Sequence, residues 1–223
     1  MILKAENISK KYYRPTRTSS HFEAVKSLDF ELENGKVTEI TGRSGSGKST
    51  LLYMLAGLLK PSTGKVLLDG KDLYGLDDEE LSWLRNQKFG VIPQGQTGLF
   101  ALTVLENVLA PAAIYGETSF LESRAKELLS LVGIADLADA KMTELSGGEM
   151  RRMAIARALI MNPEIIFADE PTDDLDDENT RAVLEFLQKT SRMGKSVLLV
   201  THEASAAQYA DKIYRMDAGS LTE

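Results

Sequence analysis

The sequence predicts an α/β fold with a mostly parallel core sheet, an antiparallel β part near the N-terminus and a helical insertion in the middle. Residues 165–168 and 197–200 form continuous apolar runs, which are typical of parallel strands covered on both faces. Residues 28–33 alternate between apolar and polar, as in a half-buried strand. Between about 95 and 160, apolar residues recur at helical spacing, most clearly over 121–132.

Composition sets the limits of this fold and of its function. The 223 residues, 43% of them hydrophobic, suffice for one sizeable domain. The absence of cysteine excludes disulfides and thiolate metal sites, and the net charge of −7 argues against a nucleic-acid groove. Residues 1–6 lack the apolar region of a signal peptide, and no apolar run approaches the ~18 residues of a membrane span. We therefore expect any role at a membrane to depend on a partner.

The N-terminal region predicts antiparallel strands. Residues 2–8 and 28–33 are the first two, and Asn34–Gly35 predicts a hairpin turn into a third strand at residue 37. Residues 10–21 between them predict a basic loop rich in serine and threonine. An aromatic side chain of this loop could stack on a nucleotide base, although composition alone favours an ordinary loop residue.

A glycine-rich loop is the strongest motif of the chain. It matches the phosphate-binding pattern G-x-x-x-x-G-K-[ST] and consists of Gly42, Arg43, Ser44, Gly45, Ser46, Gly47, Lys48, Ser49 and Thr50. A short strand at 37–40 precedes it and an apolar helix at 51–59 follows, as the motif requires. Backbone N–H groups of such a loop converge on a polyphosphate. Lys48 can reach the β- and γ-phosphates, and the Ser49 hydroxyl can ligate Mg²⁺.

Carboxylates and a histidine lie at the ends of two predicted core strands. Asp169 and Glu170 close the strand at 165–168, where ligands bind in open α/β sheets. Asp169 can hold Mg²⁺ or its water ligands, and Glu170 can polarise an attacking water. His202 follows the strand at 196–201 and can face the γ-phosphate.

A second glycine motif is ambiguous by itself. It runs through Leu145, Ser146, Gly147, Gly148 and Glu149 before a helix at 150–161. The exposed amides of such a helix start could bind an anion. The same residues are equally typical of helix capping, with serine at the N-cap and glutamate three positions later.

Taken together, these motifs resemble the nucleotide-binding subunit of an ATP-binding cassette (ABC) transporter over essentially the whole chain. The resemblance implies a RecA-like P-loop NTPase core with an antiparallel β subdomain over about 1–94 and 161–223, and a helical subdomain over about 95–160. The Ser-Gly-Gly stretch matches the family's signature loop. Residues 167–172 and 201–203 are similar to a bacterial subgroup with macrolide-export (MacB-type), lipoprotein-release (LolD-type) and bacitracin-resistance ATPases.

The resemblance also implies partners and roles for further residues. Gln94 matches the Q-loop glutamine, a Mg²⁺ ligand and sensor, and Asp176 matches the D-loop aspartate. Tyr12 best matches the aromatic that stacks on adenine, with Tyr13 and Phe22 as alternatives. The family implies ATP and Mg²⁺ as ligands, a head-to-tail dimer that sandwiches two ATPs, and a separate membrane-spanning permease subunit. It places such a subunit on the cytoplasmic face of the membrane, as a peripheral protein without a nucleic-acid partner.

The chain departs from the family pattern at three places. Glu149 replaces the usual glutamine, and residues 95–98 (Gly-Gln-Thr-Gly) replace the aromatic or apolar residues that usually follow the Q-loop. Asp173 and Asp174 replace glycine and a small residue before the D-loop, which adds negative charge near the dimer seam. Two other functions stay open: an ATPase that drives a membrane regulator rather than transport, and an ABC ATPase that acts on nucleic acid or ribosomes.

Overall fold

A computed structural model describes residues 1–13, 21–95, 97–116, 118–173 and 175–223. Its strands are β1 (Leu3–Tyr13), β2 (His21–Leu32), β3 (Val37–Thr41), β4 (Thr63–Leu68), β5 (Lys71–Asp72), β6 (Phe89–Ile92), β7 (Ile165–Asp169), β8 (Ser196–Thr201), β9 (Lys212–Asp217) and β10 (Ser220–Thr222). Its α-helices are α1 (Lys48–Leu55), α2 (Asp78–Lys88), α3 (Val104–Ala113), α4 (Thr118–Leu131), α5 (Gly147–Leu159) and α6 (Asp177–Arg192). No described helix is both long and apolar enough to cross a bilayer.

The larger sheet confirms the predicted parallel core. Its strand order is β10-β9-β3-β8-β7-β6, and β3 pairs in parallel with both β8 and β9. The strands β7 and β8 are buried along their whole length, as their apolar runs predict. Because β3, β6, β7 and β8 run in parallel, their carboxyl ends meet at one edge of the sheet.

The smaller sheet is antiparallel, with the order β2-β1-β4-β5. It confirms the predicted N-terminal β part, but the hairpin prediction at Asn34–Gly35 is wrong. The strand before this turn pairs with β1, whereas the strand after it enters the centre of the other sheet. The reason is burial, since β3 is covered on both faces and needs neighbours on both sides.

The predicted loop over residues 10–21 is shorter than expected. Tyr12 and Tyr13 belong to β1, and His21 and Phe22 begin β2. Residues 14–20 of the predicted loop lie outside the described residues. The exposed end of β1 and the exposed start of β2 carry polar residues that are typical of a loop, although their backbone is extended.

Two apolar layers cover the larger sheet. On one face, alternate residues such as Ile40, Leu198 and Val200 pack with α1 and the smaller sheet. On the other face, Val37, Val197 and Leu199 pack with buried side chains of α3, α4, α5 and α6. The helices α3, α4 and α5 contact one another. They follow β6 and precede β7 in the chain, in the middle region that was predicted to be helical. The boundaries of a separate helical subdomain at about 95 and 160 stay a prediction.

Glu39 is a buried acid in the middle of β3. Its side chain is almost fully buried, and Oε2 has no hydrogen-bond partner among the described residues. Burial raises the pKa of Glu39 from 4.5 to about 7. The fold therefore favours the neutral carboxyl group at this position.

We expect Glu39→Gln to remove a pH-dependent loss of stability. Because the folded-state pKa exceeds the unfolded value, this group favours folding most below pH 4.5, and the advantage is lost as pH rises through about 7. The full loss is on the order of 3 kcal/mol. Urea unfolding at pH 5 and pH 8 measures it, and the variant should lose less free energy of unfolding between these values than the native chain. An equal loss in both proteins would contradict the burial of an ionisable Glu39.

Candidate nucleotide-binding site

The glycine loop joins the end of β3 to the start of α1, and residues of both sheets lie close to its backbone. Gly47 has φ 109° and precedes the helix, and a Cβ atom there would lie 2.2 Å from the Ala24 carbonyl oxygen of β2. A Cβ atom at Gly42 would lie 2.2 Å from the carbonyl oxygen of Met216 in β9. Only glycine fits at these two positions, and the backbone is held close to whatever the loop surrounds.

The start of α1 fits a polyphosphate anion. No side chain among the described residues caps this helix, so its first-turn N–H groups keep their capacity to bind an anion. The Ser46 hydroxyl is buried and also has no hydrogen-bond partner among the described residues. Uncapped amides with an adjacent hydroxyl are the donors that a phosphate group requires.

Lys48 is a buried cation directly behind the loop. Its ammonium group donates to the carbonyl oxygens of Gly42 at 2.8 Å and Arg43 at 3.2 Å. It also lies 3.6 Å from Glu170 Oε1, and both side chains are nearly fully buried. The structure thus brings together the lysine and the glutamate that the sequence predicted to act on one phosphate.

Asp169 ends β7 beside the first turn of α1. Its Oδ1 accepts a hydrogen bond of 2.9 Å from the Ser49 hydroxyl, and its buried Oδ2 has no hydrogen-bond partner among the described residues. Burial raises the pKa of Asp169, while the hydroxyl groups of Ser49 and Tyr53 oppose that shift. A carboxylate and a hydroxyl group are ligands that Mg²⁺ prefers, so this pair fits the predicted metal site.

Glu170 has the left-handed backbone conformation, with φ 47°. This conformation is strained for a residue other than glycine, and such backbone strain is typical of functional positions. Its Oε2 accepts the His202 backbone N–H at 3.2 Å and lies 3.0 Å from His202 Nδ1. The structure therefore brings the predicted catalytic glutamate and histidine into contact, with Glu170 buried and His202 more than half exposed.

Gln94 follows β6, and its side chain is hydrogen-bonded to Asp173. Its Nε2 donates to Asp173 Oδ2 at 3.0 Å, and Asp173 Oδ1 lies 3.9 Å from His202 Nδ1. Sequence reasoning named Asp173 as extra charge but missed this contact. Because β6, β7 and β8 are adjacent, a polar side chain after β7 can reach both of its neighbours. The neighbouring departures Gln96 and Asp174 lie outside the described residues.

The second glycine motif starts α5. The Ser146 hydroxyl accepts the Glu149 backbone N–H, and the Glu149 carboxylate accepts the Ser146 backbone N–H at 2.7 Å, so the capping interpretation is confirmed. Ser146 and Gly147 are exposed. Among the described residues, no hydrogen bond or ion pair joins residues 146–148 to the loop at 42–50. An exposed helix start thus lies apart from the phosphate loop of its own chain.

The three aromatic candidates lie where β1 and β2 pair. Tyr12 is opposite Phe22, and Tyr13 contacts His21 edge-on with 5.7 Å between ring centroids. Their exposed fractions are 38% for Tyr12, 66% for Tyr13 and 40% for Phe22. Phe22 is two residues from Ala24, which contacts the phosphate loop. The adenine partner therefore stays a prediction with all three alternatives.

Asp176 begins α6 and has a structural task. Its carboxylate accepts the backbone N–H of Asn179 at 2.8 Å and the Asn179 carboxamide at 2.7 Å. These hydrogen bonds hold the pKa of Asp176 below its usual range. The side chain is exposed.

Comparisons with known proteins identify the family of the chain. A family model described as ABC transporter matches residues 25–173. The lipoprotein-releasing system ATP-binding protein LolD of Aquifex aeolicus is 42% identical over 221 residues, which are 99% of this chain and 96% of that protein. The macrolide export ATP-binding/permease protein MacB of Chlorobaculum tepidum is 38% identical over 203 residues, 90% of this chain and 31% of that protein.

A solved structure shares the fold over nearly its whole length. The dimeric structure of MJ0796, a bacterial ABC transporter cassette, superimposes with a TM-score of 0.91 at 34% identity and covers 99% of this chain and 97% of that one. The RecA-like core predicted from the sequence is thereby confirmed. Because the family model covers well over half of the chain, this protein belongs to the ABC transporter family and is one of its ATP-hydrolysing cassettes.

Proposed function

We propose that two copies of this cassette close head to tail on two ATP molecules and thereby drive a separate membrane-spanning subunit. One observation carries this proposal. The phosphate loop, Asp169 and Glu170 meet at one edge of the sheet, whereas Ser146 and Gly147 at the start of α5 are exposed and, among the described residues, form no hydrogen bond or ion pair with that loop. Each chain then offers two complementary parts of a site, and a second copy would complete both. A related cassette has been solved as a dimer, which supports this arrangement.

Ser49, Asp169 and Gln94 would hold Mg²⁺ at this site. Bound there, the ion would offset the charge on the β- and γ-phosphates. Ser49 and Asp169 are already in contact, and the unpartnered Oδ2 of Asp169 leaves a buried ligand atom for the ion. Gln94 would contribute its carboxamide Oε1, since its Nε2 donates to Asp173.

The side chains around Glu170 would carry hydrolysis. Lys48 would bind the β- and γ-phosphates through its ammonium group, which now donates to loop carbonyls. Glu170 would accept a proton from the attacking water, and its contact with His202 would orient both groups toward the γ-phosphate. Asp176 and Ser146–Gly148 would act on the ATP of the partner subunit.

The loop after β6 is the surface that we assign to the membrane-spanning subunit. Leu99 and Phe100, in the segment that follows Gln94 in the chain, are 50% and 57% exposed. Arg157 of α5 fastens the same loop by donating to the Thr97 carbonyl at 2.7 Å and the Thr97 hydroxyl at 2.8 Å. A change at Gln94 could thus reach both the permease and α5. The chain would then act at the cytoplasmic face of the membrane.

The cargo is not specified by the cassette. Relatives at 42% and 38% identity carry the names of lipoprotein release and macrolide export. A membrane regulator driven by ATP would need the same site, and it stays the second candidate. In either case the specificity would lie in the membrane subunit.

Complementation between two inactive variants tests the shared site. We expect Lys48→Ala and Gly147→Glu to lack ATP turnover when each is alone. The carboxylate introduced by Gly147→Glu would repel phosphate, while an acid in the first turn keeps the helix stable. In an equimolar mixture, a mixed dimer pairs one intact phosphate loop with one intact Ser146–Gly148, and phosphate release should recover in part.

The matched control mixes Lys48→Ala with the double variant that carries Lys48→Ala and Gly147→Glu. None of these dimers has an intact phosphate loop, so this mixture should stay inactive. Recovery in the control mixture would contradict a site shared between subunits, as would lack of recovery in the test mixture.

A further inference from the structure

We propose that Asn179 is a positioning residue that fixes the D-loop to the start of α5. One chain would then present Ser146–Gly148 and Asp176 to its partner as a single unit. The inference rests on the head-to-tail dimer proposed above, and it assigns a task to a side chain outside the nucleotide motifs.

The carboxamide of Asn179 uses its two ends for two different elements. Its Oδ1 accepts a hydrogen bond from Arg152 of α5, and its Nδ2 donates to Asp176 Oδ2 at 2.7 Å. A carboxamide can make both hydrogen bonds, because its oxygen accepts and its nitrogen donates. Arg152 also has a buried Nε without a hydrogen-bond partner among the described residues, which makes its contact with Asn179 more important for holding the cation.

Two further features tie the same segments together. A Cβ atom at Gly148 would lie 3.3 Å from Leu175 Cδ2, so the residue before Asp176 packs directly on the glycine of α5. Hydrogen bonds from Ser146 hold the pKa of Glu149 low, and those from Asn179 do the same for Asp176. The positive charge of Arg152 contributes to both shifts.

The consequence concerns closure of the dimer rather than nucleotide binding. The phosphate loop that binds ATP in one chain does not contain Asn179, Arg152 or Asp176. The segments that these residues join are the ones that would meet the partner's ATP. If Asn179 is lost, each subunit should still bind nucleotide, but the surfaces that close on the partner would no longer be aligned.

The test uses Asn179→Ala and Asn179→Asp in a Glu170→Gln background, which should accumulate the ATP-bound dimer. The aspartate variant keeps an acceptor for Arg152 but turns a carboxylate toward Asp176. Light scattering during an ATP titration gives the concentration that half-saturates dimer formation. We expect both variants to raise it about tenfold or more, the effect of losing one or two hydrogen bonds. Fluorescent-nucleotide affinity of the separate subunits should stay unchanged.

Glu185→Ala, on the exposed face of the same helix, is the matched control and should leave the dimer midpoint unchanged. Thermal unfolding of each variant separates loss of fold from loss of alignment. If Asn179→Ala dimerises at the same ATP concentration as the Glu170→Gln parent, the proposal is wrong. If Asn179→Asp does so, the contact between Asn179 and Asp176 of the D-loop has no part in closure. If the Glu170→Gln protein itself forms no dimer with ATP, the proposed dimer fails, and this inference fails with it.

Discussion

We expect Glu170→Gln to abolish ATP turnover while leaving ATP binding intact. The amide keeps the size of the side chain and can still accept a hydrogen bond from His202, but it cannot take a proton from water. Loss of a general base lowers turnover by about 10²–10⁴-fold. Lys48 loses its ion-pair partner at 3.6 Å, which leaves its charge available to phosphate.

Two measurements check this expectation. Phosphate release should fall to background, and light scattering should show a dimer that depends on ATP and persists. Glu203→Gln makes the same change directly after His202, at a residue outside the proposed machinery. This control should retain turnover. A Glu170→Gln protein with native turnover would show that another group activates the water.

Lys48→Ala has the second large expected effect, because it should remove nucleotide binding. The ammonium group is the buried cation of the loop, and its removal also leaves the buried Glu170 carboxylate without that partner. Removing one partner of the charge pair that Lys48 would form with a bound phosphate costs about 2–5 kcal/mol, so ATP affinity should fall at least about thirtyfold.

Isothermal titration with ATP measures the loss, and Lys65→Ala in the exposed part of β4 is the matched control. Thermal unfolding accompanies the titration, because an unpaired Glu170 also reduces stability. Native ATP affinity in a folded Lys48→Ala protein would contradict the role of the phosphate loop.

Much of the site could be predicted because its residues follow local patterns. The apolar runs before Asp169 and His202 indicate buried parallel strands, and parallel strands bring their carboxyl ends to one edge. Glu170 and His202 are indeed in contact, although 32 residues separate them. The glycine loop was recognisable because its close backbone approach requires specific residues.

The features that were missed depend on pairing between distant segments. The sequence around Asn34–Gly35 favours a turn, but it does not say which strand the next one joins. The contact of Gln94 with Asp173 and that of Arg152 with Asn179 span 79 and 27 residues. Such polar contacts leave no periodic pattern in the sequence, because each depends on the three-dimensional arrangement of the strands and helices that carry it.

The glycine loop also has a mechanical consequence. Ala24 of the antiparallel sheet and Met216 of the parallel sheet press on it from two sides, so the walls of the phosphate cradle come from both sheets. Slight separation of these sheets would widen the cradle, and a bound triphosphate would resist that separation. A bound nucleotide would thus hold the two sheets together at the loop, so that closure of the dimer would also act on the antiparallel sheet.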